Sequence, residues 1–298
     1  MIHGIINVNK EQGFTSHDVV AKLRGILRQK KIGHTGTLDP DATGVLPVCL
    51  GKGTKLCDML TDRDKTYRAV MLLGTVTDTQ DTSGRILSEN KVASTEQEVL
   101  EAIKSFTGDY EQIPPMYSAL KVDGRKLYEL AREGKVIERK ARLVHIHEIV
   151  VDETALPRVT MTVSCSKGTY IRTLCHDIGE KLGCGGCMES LVRTKAGAFA
   201  IADSFTLGQI EELRDNGTLM DHITPIDEMF IEYPRVNVSE EFHKLLYNGN
   251  MFYEKHVSGQ VPLQDGSVRV YDAGGQFFAI YAYEKAEKRF KPVKIFNV

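Results

Sequence analysis

A polar, glycine-rich stretch places an aspartate where it could act as a nucleophile or a base. Residues 33–47 read GHTGTLDPDATGVLP and lack the period of an amphipathic helix. The glycines allow tight bends and close approach to a ligand, and Pro40 restrains the backbone of the preceding Asp39 to extended conformations. A carboxylate on such a loop can attack an electrophile, but Asp39 could also bond nearby backbone N–H groups in an Asx turn. Local chemistry alone favours the turn.

The whole stretch resembles the catalytic motif of the TruB family of tRNA pseudouridine-55 synthases, which is approximately GHTGxLDPxATGxLP. In that family the aspartate of LDP is the nucleophile, which implies the same role for Asp39. The match runs unbroken through 33–47, so it is far more specific than a short glycine signature. The resemblance implies an isomerase that converts uridine-55 in the T loop of tRNA into pseudouridine after flipping the base out.

Further segments resemble the same family in the same order. The strand motif KTYR, followed by LG, implies that Tyr67 packs beside the target base. The loop TDTQDTSG implies that Asp81 lies near the flipped-out nucleotides. The segment PPMYSALK resembles an RNA-contacting insertion and ends at Lys121. His34 and the basic residues from Lys121 to 142 are therefore candidates for RNA contacts.

Two more motifs complete the resemblance. The motif CSKGTYIR implies that Arg172 pairs with the catalytic aspartate and that Tyr170 lines the uridine pocket. The motif LVRT fits a family pattern in which the leucine, here Leu191, contacts the base. Together these residues imply an active site assembled from segments that are distant in sequence.

The implied reaction breaks the N1–C1′ bond, turns the uracil and rejoins it through C5, so it needs no redox cofactor, metal or nucleotide. Burial would raise the pKa of Asp39, and we expect the Arg172 guanidinium to oppose that rise and hold the carboxylate ionised. The Tyr67 hydroxyl is a candidate for proton transfer after bond cleavage. The sequence is compatible with attack by Asp39 at C6 of the base, with attack at C1′ of the sugar, and with assistance of an elimination.

Hydrophobic patterns predict the elements that position these residues: a mixed α+β fold with a largely antiparallel sheet flanked by helices, followed by a small β-rich part. Strands are expected around 3–9, 67–73, 142–152, 158–165 and 191–200. Helices are expected after Thr15 or Ser16, from a Thr95–Glu98 capping box to about Phe106, near 125–133, and at 170–182. Residues 33–54 are expected to form a long irregular segment.

The chain is expected to divide at about Pro234. We assign 1–233 to a pseudouridine synthase catalytic domain, which carries an RNA-binding insertion at about 108–142. Residues 234–298 show short alternating apolar runs with glycines between them, which predict a small β-rich domain, and the family resemblance implies that this domain is PUA-like. The resemblance covers roughly 4–227 and is weaker beyond that point.

Composition restricts the class of protein without identifying it. The 298 residues are 42% hydrophobic and 26% charged, with a net charge of −2, which is typical of globular proteins. Residues 1–55 and 121–142 each hold eight Lys or Arg against four Asp or Glu, whereas 201–240 hold two against nine. These biases are compatible with an RNA-binding face but are as readily explained as solvated surface. No apolar run suggests a membrane span or a signal peptide, so we expect a cytoplasmic protein.

Three alternatives remain open at this point. Cys184 and Cys187 form a CxxC that could bind zinc with Cys175 and His176, but a single CxxC favours reduced core thiols, and we expect no metal. A non-catalytic RNA-binding module would explain the RNA contacts but not the aspartate, tyrosine and arginine set. A guide-RNA-dependent synthase of the dyskerin type would share the catalytic core. We expect instead that the T-stem-loop of tRNA is the partner, with no guide RNA and no obligatory protein partner.

Overall fold

Two β-sheets carry most of the chain in a computed structural model that describes residues 1–122, 124–259 and 264–296. Residues 260–263 and 297–298 of the expected PUA-like part, and residue 123 of the expected insertion, lie outside the described residues. The strands are β1 (Gly4–Lys10), β2 (Ile32–His34), β3 (Thr43–Leu50), β4 (Lys65–Leu73), β5 (Thr75–Thr77), β6 (Ile86–Glu89), β7 (Gly108–Gln112), β8 (Lys121–Val122), β9 (Arg125–Lys126), β10 (Arg142–Ala155), β11 (Arg158–Cys165), β12 (Gly186–Ala196), β13 (Phe199–Ala200), β14 (Arg235–Val238), β15 (Phe252–Tyr253), β16 (Val257–Ser258), β17 (Gly266–Tyr271), β18 (Phe277–Glu284) and β19 (Arg289–Ile295). The α-helices are α1 (Ser16–Ile26), α2 (Cys57–Thr61), α3 (Glu96–Lys104), α4 (Leu127–Arg132), α5 (Ile171–Lys181), α6 (Leu207–Asp215) and α7 (His243–Tyr247).

The first sheet has nine strands and runs in the order β1-β3-β12-β4-β11-β10-β7, with β2 paired to β3 and β13 paired to β12. Its pairs are antiparallel except for β3 and β12, which run parallel. Two small hairpins, β5–β6 and β8–β9, stand apart from it. The predicted mixed, largely antiparallel sheet with flanking helices is therefore confirmed.

The second sheet has six strands in the order β15-β19-β18-β17-β14-β16, which confirms the β-rich C-terminal part. It has its own apolar core, built around Phe252, Tyr281 and Phe290. A further buried cluster joins it to the first sheet and includes Val45 of β3 and Phe296. The strand that leaves the 33–47 stretch is thus packed against the C-terminal sheet.

Side-chain caps mark the starts of three α-helices, α1, α3 and α6. Thr15 caps α1 and Thr95 caps α3, each in a capping box with the acidic residue three positions later. Helix α5 buries Ile171, Leu174 and Ile178 against β12 and β4. In the described part of the chain, no helix is long and apolar enough to cross a membrane.

Two predicted elements differ from the structure. Residues 33–54 were expected to be irregular, but they contain the eight-residue strand β3, whose last seven residues are all buried. A strand covered on both faces shows no alternation of polar and apolar residues. In addition, Pro47 argued against a strand here, because proline is rare inside a sheet. The strand expected at 191–200 begins earlier, at Gly186, and ends at Ala196 before a turn leads into β13.

Candidate active site

The loop that carries Asp39 is tied to the elements on either side of it. We call residues 35–42, between β2 and β3, the Asp39 loop. The Ser16 hydroxyl at the start of α1 accepts a hydrogen bond from the Leu38 N–H at 2.9 Å. The Lys10 ammonium at the end of β1 donates to the Pro40 carbonyl at 3.0 Å. These anchors fix the backbone on both sides of Asp39.

The loop re-enters the sheet at a position that requires glycine. Gly44 lies beside Arg193 in the parallel pair of β3 and β12 and has a φ of 98°. A Cβ atom there would lie 2.3 Å from the Arg193 carbonyl oxygen. Both the backbone conformation and the close approach therefore exclude other residues, which explains one glycine of the motif.

Asp39 faces an arginine that is almost fully buried. The Arg172 Nε lies 3.1 Å from the Asp39 Oδ2, and the Arg172 side chain is 6% exposed while that of Asp39 is 42% exposed. Arg172 stands in the first turn of α5. Its Nη2 donates to the Tyr117 carbonyl at 2.8 Å and its Nη1 to the Thr79 carbonyl at 3.0 Å. The guanidinium is thus held on several sides, with one edge aimed at the carboxylate.

Two carboxylates share this guanidinium. The Asp81 Oδ2 lies 3.4 Å from the Arg172 Nη1. Burial is the largest influence on Asp39 and raises the pKa of its carboxyl above the ordinary value; the Arg172 cation opposes that rise, and the Asp81 anion adds to it. Both influences expected from the sequence are present, and burial outweighs the arginine. The resulting carboxylate is a stronger base than one in water.

Tyr67 of β4 is 9% exposed and packs in the same buried cluster as Leu38, the residue before Asp39. Arg193 lies opposite it in the register of β4 and β12, is 1% exposed, and donates through Nε to the Val45 carbonyl at 2.6 Å. Burial raises the pKa of the Tyr67 hydroxyl, and the Arg193 cation opposes the rise. The phenol therefore stays protonated over the physiological pH range.

Tyr170 and Leu191 also lie near Asp39. Tyr170 precedes α5 and is half-buried; its N–H donates to the Gln112 Oε1 at 2.7 Å. Burial raises the pKa of its hydroxyl. Leu191 of β12 is 8% exposed and belongs to the same apolar cluster as Leu38 and Tyr67. The arrangement is a partly exposed carboxylate with two phenol rings and aliphatic side chains nearby.

The remaining two predicted site residues lie farther out. His34 ends β2 and is half-buried, with its ring centroid 5.2 Å from that of His17. Burial lowers the pKa of His34, so the ring is neutral at pH 7. Lys121 is exposed on the β8–β9 hairpin. Among the described residues, neither side chain forms a hydrogen bond or ion pair with Asp39.

The cysteine pair that suggested a metal site is buried at the start of β12. Cys184 is 5% exposed and Cys187 is 0% exposed. Over residues 1–122, 124–259 and 264–296, no group of three or more Cys, His, Asp or Glu is arranged to hold a metal ion.

Sequence reasoning missed two buried cations that support the site. Arg193 lies in the LVRT segment, but its contact with the Asp39 loop depends on a strand pairing that no local pattern reveals. Lys10 follows an apolar strand and has 0% exposure. Its ammonium donates to the carbonyls of Glu11, Phe14 and Pro40 at 3.1, 2.6 and 3.0 Å.

Replacing Lys10 with methionine is expected to lower the free energy of unfolding by about 2 kcal/mol, because three carbonyls lose their charged donor. Burial lowers the pKa of Lys10 from 10.5 to about 8. The unfolded chain therefore binds this proton more tightly, and the contribution of Lys10 to stability grows as the pH rises from 8 towards 10.5. Urea unfolding at pH 7 and pH 9.5 measures both effects. Lys22→Met, at an exposed position of α1, is the control, and equal midpoints for the two variants would contradict the expectation.

Comparisons with known proteins agree with the geometry. A family model described as TruB family pseudouridylate synthase (N terminal domain) matches residues 24–171, and one described as tRNA pseudouridylate synthase B C-terminal domain matches residues 172–231. A protein of Lachnoclostridium phytofermentans named tRNA pseudouridine synthase B is 54% identical, with 99% of this chain and 100% of that protein covered. One of the same name from Clostridium kluyveri is 45% identical, with 98% and 99% covered.

Solved structures give the same fold. A chain in the structure of an H/ACA RNP bound to a substrate RNA containing 2′-deoxyuridine matches with a TM-score of 0.72 and 25% identity, covering 99% of this chain and 86% of that one. A chain in the crystal structure of a Cbf5-Nop10-Gar1 complex matches with a TM-score of 0.71 and 27% identity, covering 99% and 85%. The chain belongs to the TruB family of pseudouridylate synthases.

Proposed function

We propose that this protein is a tRNA pseudouridine synthase that isomerises uridine-55 in the T loop of tRNA and acts in the cytoplasm. Relatives that match almost the whole chain carry the name tRNA pseudouridine synthase B. The observation that carries the proposal is the 3.1 Å pair of Asp39 and Arg172 beside Tyr67 and Leu191. A partly exposed carboxylate in an aromatic pocket suits a flipped pyrimidine nucleotide.

In the proposed reaction Asp39 is the nucleophile and Arg172 holds it in position. The N1–C1′ bond breaks, the uracil turns within the pocket, and a C5–C1′ bond forms. The proton on C5 is then lost and N1 gains a proton, so atoms and electrons balance without an external reagent. Tyr67 and Tyr170 supply flat faces that keep the detached uracil in place, and Leu191 packs against the ring.

RNA recognition is assigned to Asp81 beside Arg172 and to residues farther from Asp39. A base can leave the stack only if the protein holds the neighbouring nucleotides. We assign those contacts to Asp81, His34 and Lys121, and to the basic insertion at about 108–142. Residues 1–233 form the catalytic domain in this proposal, and 234–298 form a PUA-like domain. The separate six-stranded sheet after Pro234 supports that division.

Tyr67→Phe tests the proposed proton transfer apart from stacking. Phenylalanine keeps the ring but removes the hydroxyl, which lies close to Arg193. The single-turnover rate is expected to fall about 100-fold, as for the loss of a general acid or base, while the Kd for tRNA stays within about twofold because the ring still stacks. Rapid-quench assays and filter binding measure the two quantities. A rate equal to that of the unaltered protein would restrict Tyr67 to stacking.

The proposed function is tested with the purified protein and an unmodified tRNA transcript. Tritium release from C5-labelled uridine reports bond formation at C5, and mapping of pseudouridine locates the product. We expect one modified position, uridine-55, and no release from a transcript with cytidine there. Release at another uridine, or none at all, would contradict the proposal. Release at another uridine would indicate a synthase with a different target, and no release at all would favour a protein that binds RNA without modifying it.

A second candidate is a guide-RNA-dependent synthase. It is favoured by the structural matches, whose titles describe an H/ACA RNP and a Cbf5-Nop10-Gar1 complex. The full-length relatives named tRNA pseudouridine synthase B favour independent action on tRNA. We therefore propose that neither guide RNA nor a partner protein is required. Activity that appears only after guide RNA or further proteins are added would establish the second candidate.

A further inference from the structure

Gln80 adopts a backbone conformation that side chains disfavour. Its φ is 64°, in the left-handed region. The other described non-glycine residues with positive φ, Arg28 and Lys288, are exposed; Arg28 lies just beyond the C-cap of α1 and Lys288 lies in a hairpin turn. Gln80 is instead half-buried in the loop that carries Asp81. A strained residue beside a functional group persists only where the surrounding contacts impose it.

Three hydrogen bonds impose the conformation of Gln80. Its side-chain Oε1 accepts from the Thr173 hydroxyl at 2.7 Å. Its carbonyl accepts from the Met188 N–H of β12 at 3.0 Å, and its own N–H donates to the Thr77 carbonyl at 3.4 Å. The Thr173 side chain belongs to a residue that is 2% exposed. The side-chain bond therefore joins the loop to the first turn of α5 within the protein interior.

The neighbours of Gln80 on both sides bind Arg172, the residue before Thr173. The Thr79 carbonyl accepts from the Arg172 Nη1 at 3.0 Å, and the Asp81 Oδ2 lies 3.4 Å from the same atom. Three consecutive loop residues thus contact two consecutive helix residues. If Gln80 moved, Thr79 and Asp81 would move with it, and the guanidinium would lose the contacts that direct its Nε towards Asp39.

We propose that the hydrogen bond between Gln80 and Thr173 is a positioning contact that sets the Arg172 guanidinium against Asp39 for catalysis. This inference rests on the proposed function. Among the described residues, the hydrogen bonds and ion pairs of the Asp39 side chain go to Arg172, and the proposal is that Gln80 and Thr173 act through this arginine. The contact holds the loop in a conformation that the backbone of Gln80 would not adopt by itself. Its loss is expected to lower the rate of isomerisation much more than the affinity for tRNA, because Asp81 is only one of several proposed RNA contacts.

Thr173→Val removes the hydroxyl with little change of shape, and Thr173→Ser keeps it. We expect valine to lower the single-turnover rate about tenfold, the scale of one lost hydrogen bond acting on the transition state, with the Kd for tRNA within about twofold. Serine is expected to restore the rate to within about threefold of the unaltered protein. Thr162→Val, which removes a hydroxyl bonded to Asp152 at 2.9 Å on β11, is the matched control and should leave the rate unchanged.

Gln80→Gly separates positioning from stability. Glycine fits a φ of 64° better than glutamine, so the midpoint of urea unfolding is expected to stay equal or rise. The rate is nevertheless expected to fall about tenfold, because the bond to Thr173 is lost. A glycine variant that is as active as the unaltered protein, or a valine variant with an unchanged rate, would overturn the proposal.

The pH dependence supplies a readout that a purely structural contact would not change. The Arg172 cation lowers the pKa of Asp39, so a displaced guanidinium lets that pKa rise. The acid limb of the rate profile should therefore move to higher pH in both Thr173→Val and Gln80→Gly, and not in Thr162→Val. A slower rate with an unmoved acid limb would refute action through Arg172. If the unaltered protein formed no pseudouridine, the proposed function would fail instead, before any variant was compared.

Discussion

Asp39→Asn is expected to abolish pseudouridine formation while tRNA still binds. Asparagine has nearly the same shape as aspartate but lacks the charge and the nucleophilic oxygen. Loss of a nucleophile costs on the order of 10⁴-fold or more in rate, so single-turnover formation in a tRNA transcript should fall below detection. Binding should persist within about threefold, because the tyrosines, Leu191 and the basic insertion are untouched and contribute most of the proposed contacts.

The local structure predicts that this variant stays folded. Asp39 is 42% exposed at the side chain, so an amide there remains solvated. Arg172 keeps the Asp81 carboxylate at 3.4 Å and the Thr79 and Tyr117 carbonyls, so its buried charge is not left without partners. The midpoint of urea unfolding should change little.

Asp152→Asn is the matched control for the loss of a carboxylate. Asp152 pairs with Arg68 at 3.6 Å, and Arg68 follows Tyr67 on β4, so its side chain lies on the opposite face of the sheet. The control should keep the full rate. Turnover by Asp39→Asn within tenfold of the unaltered protein would exclude Asp39 as the nucleophile, whichever atom of the nucleotide is attacked.

The sequence was sufficient for features that depend on local chemistry. The Thr95–Glu98 capping box marks the start of α3, and a cap at Thr15 or Ser16 was expected for α1, where the structure has Thr15; each cap uses residues within three positions. Residues 142–152 and 158–165 show alternating or continuous apolar residues, which predicted a strand in each range. The structure has strands at 142–155 and 158–165, so only the first is longer than predicted. The catalytic motif itself is contiguous, so its resemblance to one family could be recognised without a structure.

Features that depend on distant pairing could not be recognised. Strand β3 pairs with β12 through Thr43 and Gly44, whose partners Val192 and Arg193 lie about 150 positions later in the chain. The buried residues of β3 show no alternation of polar and apolar side chains. The same pairing buries Arg193 under the Asp39 loop. Most arginines lie at the surface, so neither its burial nor its bond to the Val45 carbonyl has a signal in the sequence. The contact between Gln80 and Thr173 likewise joins segments that are 93 positions apart.

Arg172→Lys is expected to slow pseudouridine formation about 100-fold although the positive charge is kept. The guanidinium uses all three nitrogens: Nε contacts Asp39, Nη1 contacts Thr79 and Asp81, and Nη2 contacts Tyr117 and, at 3.5 Å, the second oxygen of Asp39. A lysine ammonium has one nitrogen on a shorter reach and cannot serve all of these positions. Losing one well-placed donor costs about 10²- to 10³-fold at other active sites.

The replacement also changes the titration of Asp39. The cation at Arg172 lowers the pKa of that carboxyl, and burial raises it. An ammonium farther from Asp39 opposes burial less, so the pKa rises and a larger fraction of Asp39 is protonated at pH 6. Because the nucleophile must be ionised, the rate at pH 6 should fall more steeply relative to pH 8 than in the unaltered protein. Arg172→Met should show the same shift to a greater extent.

Single-turnover rates between pH 5 and pH 9 measure both effects, with tRNA saturating so that binding does not enter. Arg158→Lys is the matched control, because Arg158 also pairs with a carboxylate through two nitrogens, at 2.9 and 2.8 Å from Glu189, but is 53% exposed at the start of β11. Its replacement should change neither the rate nor the profile. If Arg172→Lys had the same rate and pH profile as that control, the activity of Asp39 would not depend on the guanidinium. The hydrogen bonds from Arg172 to the Thr79 and Tyr117 carbonyls would then serve only to stabilise the fold.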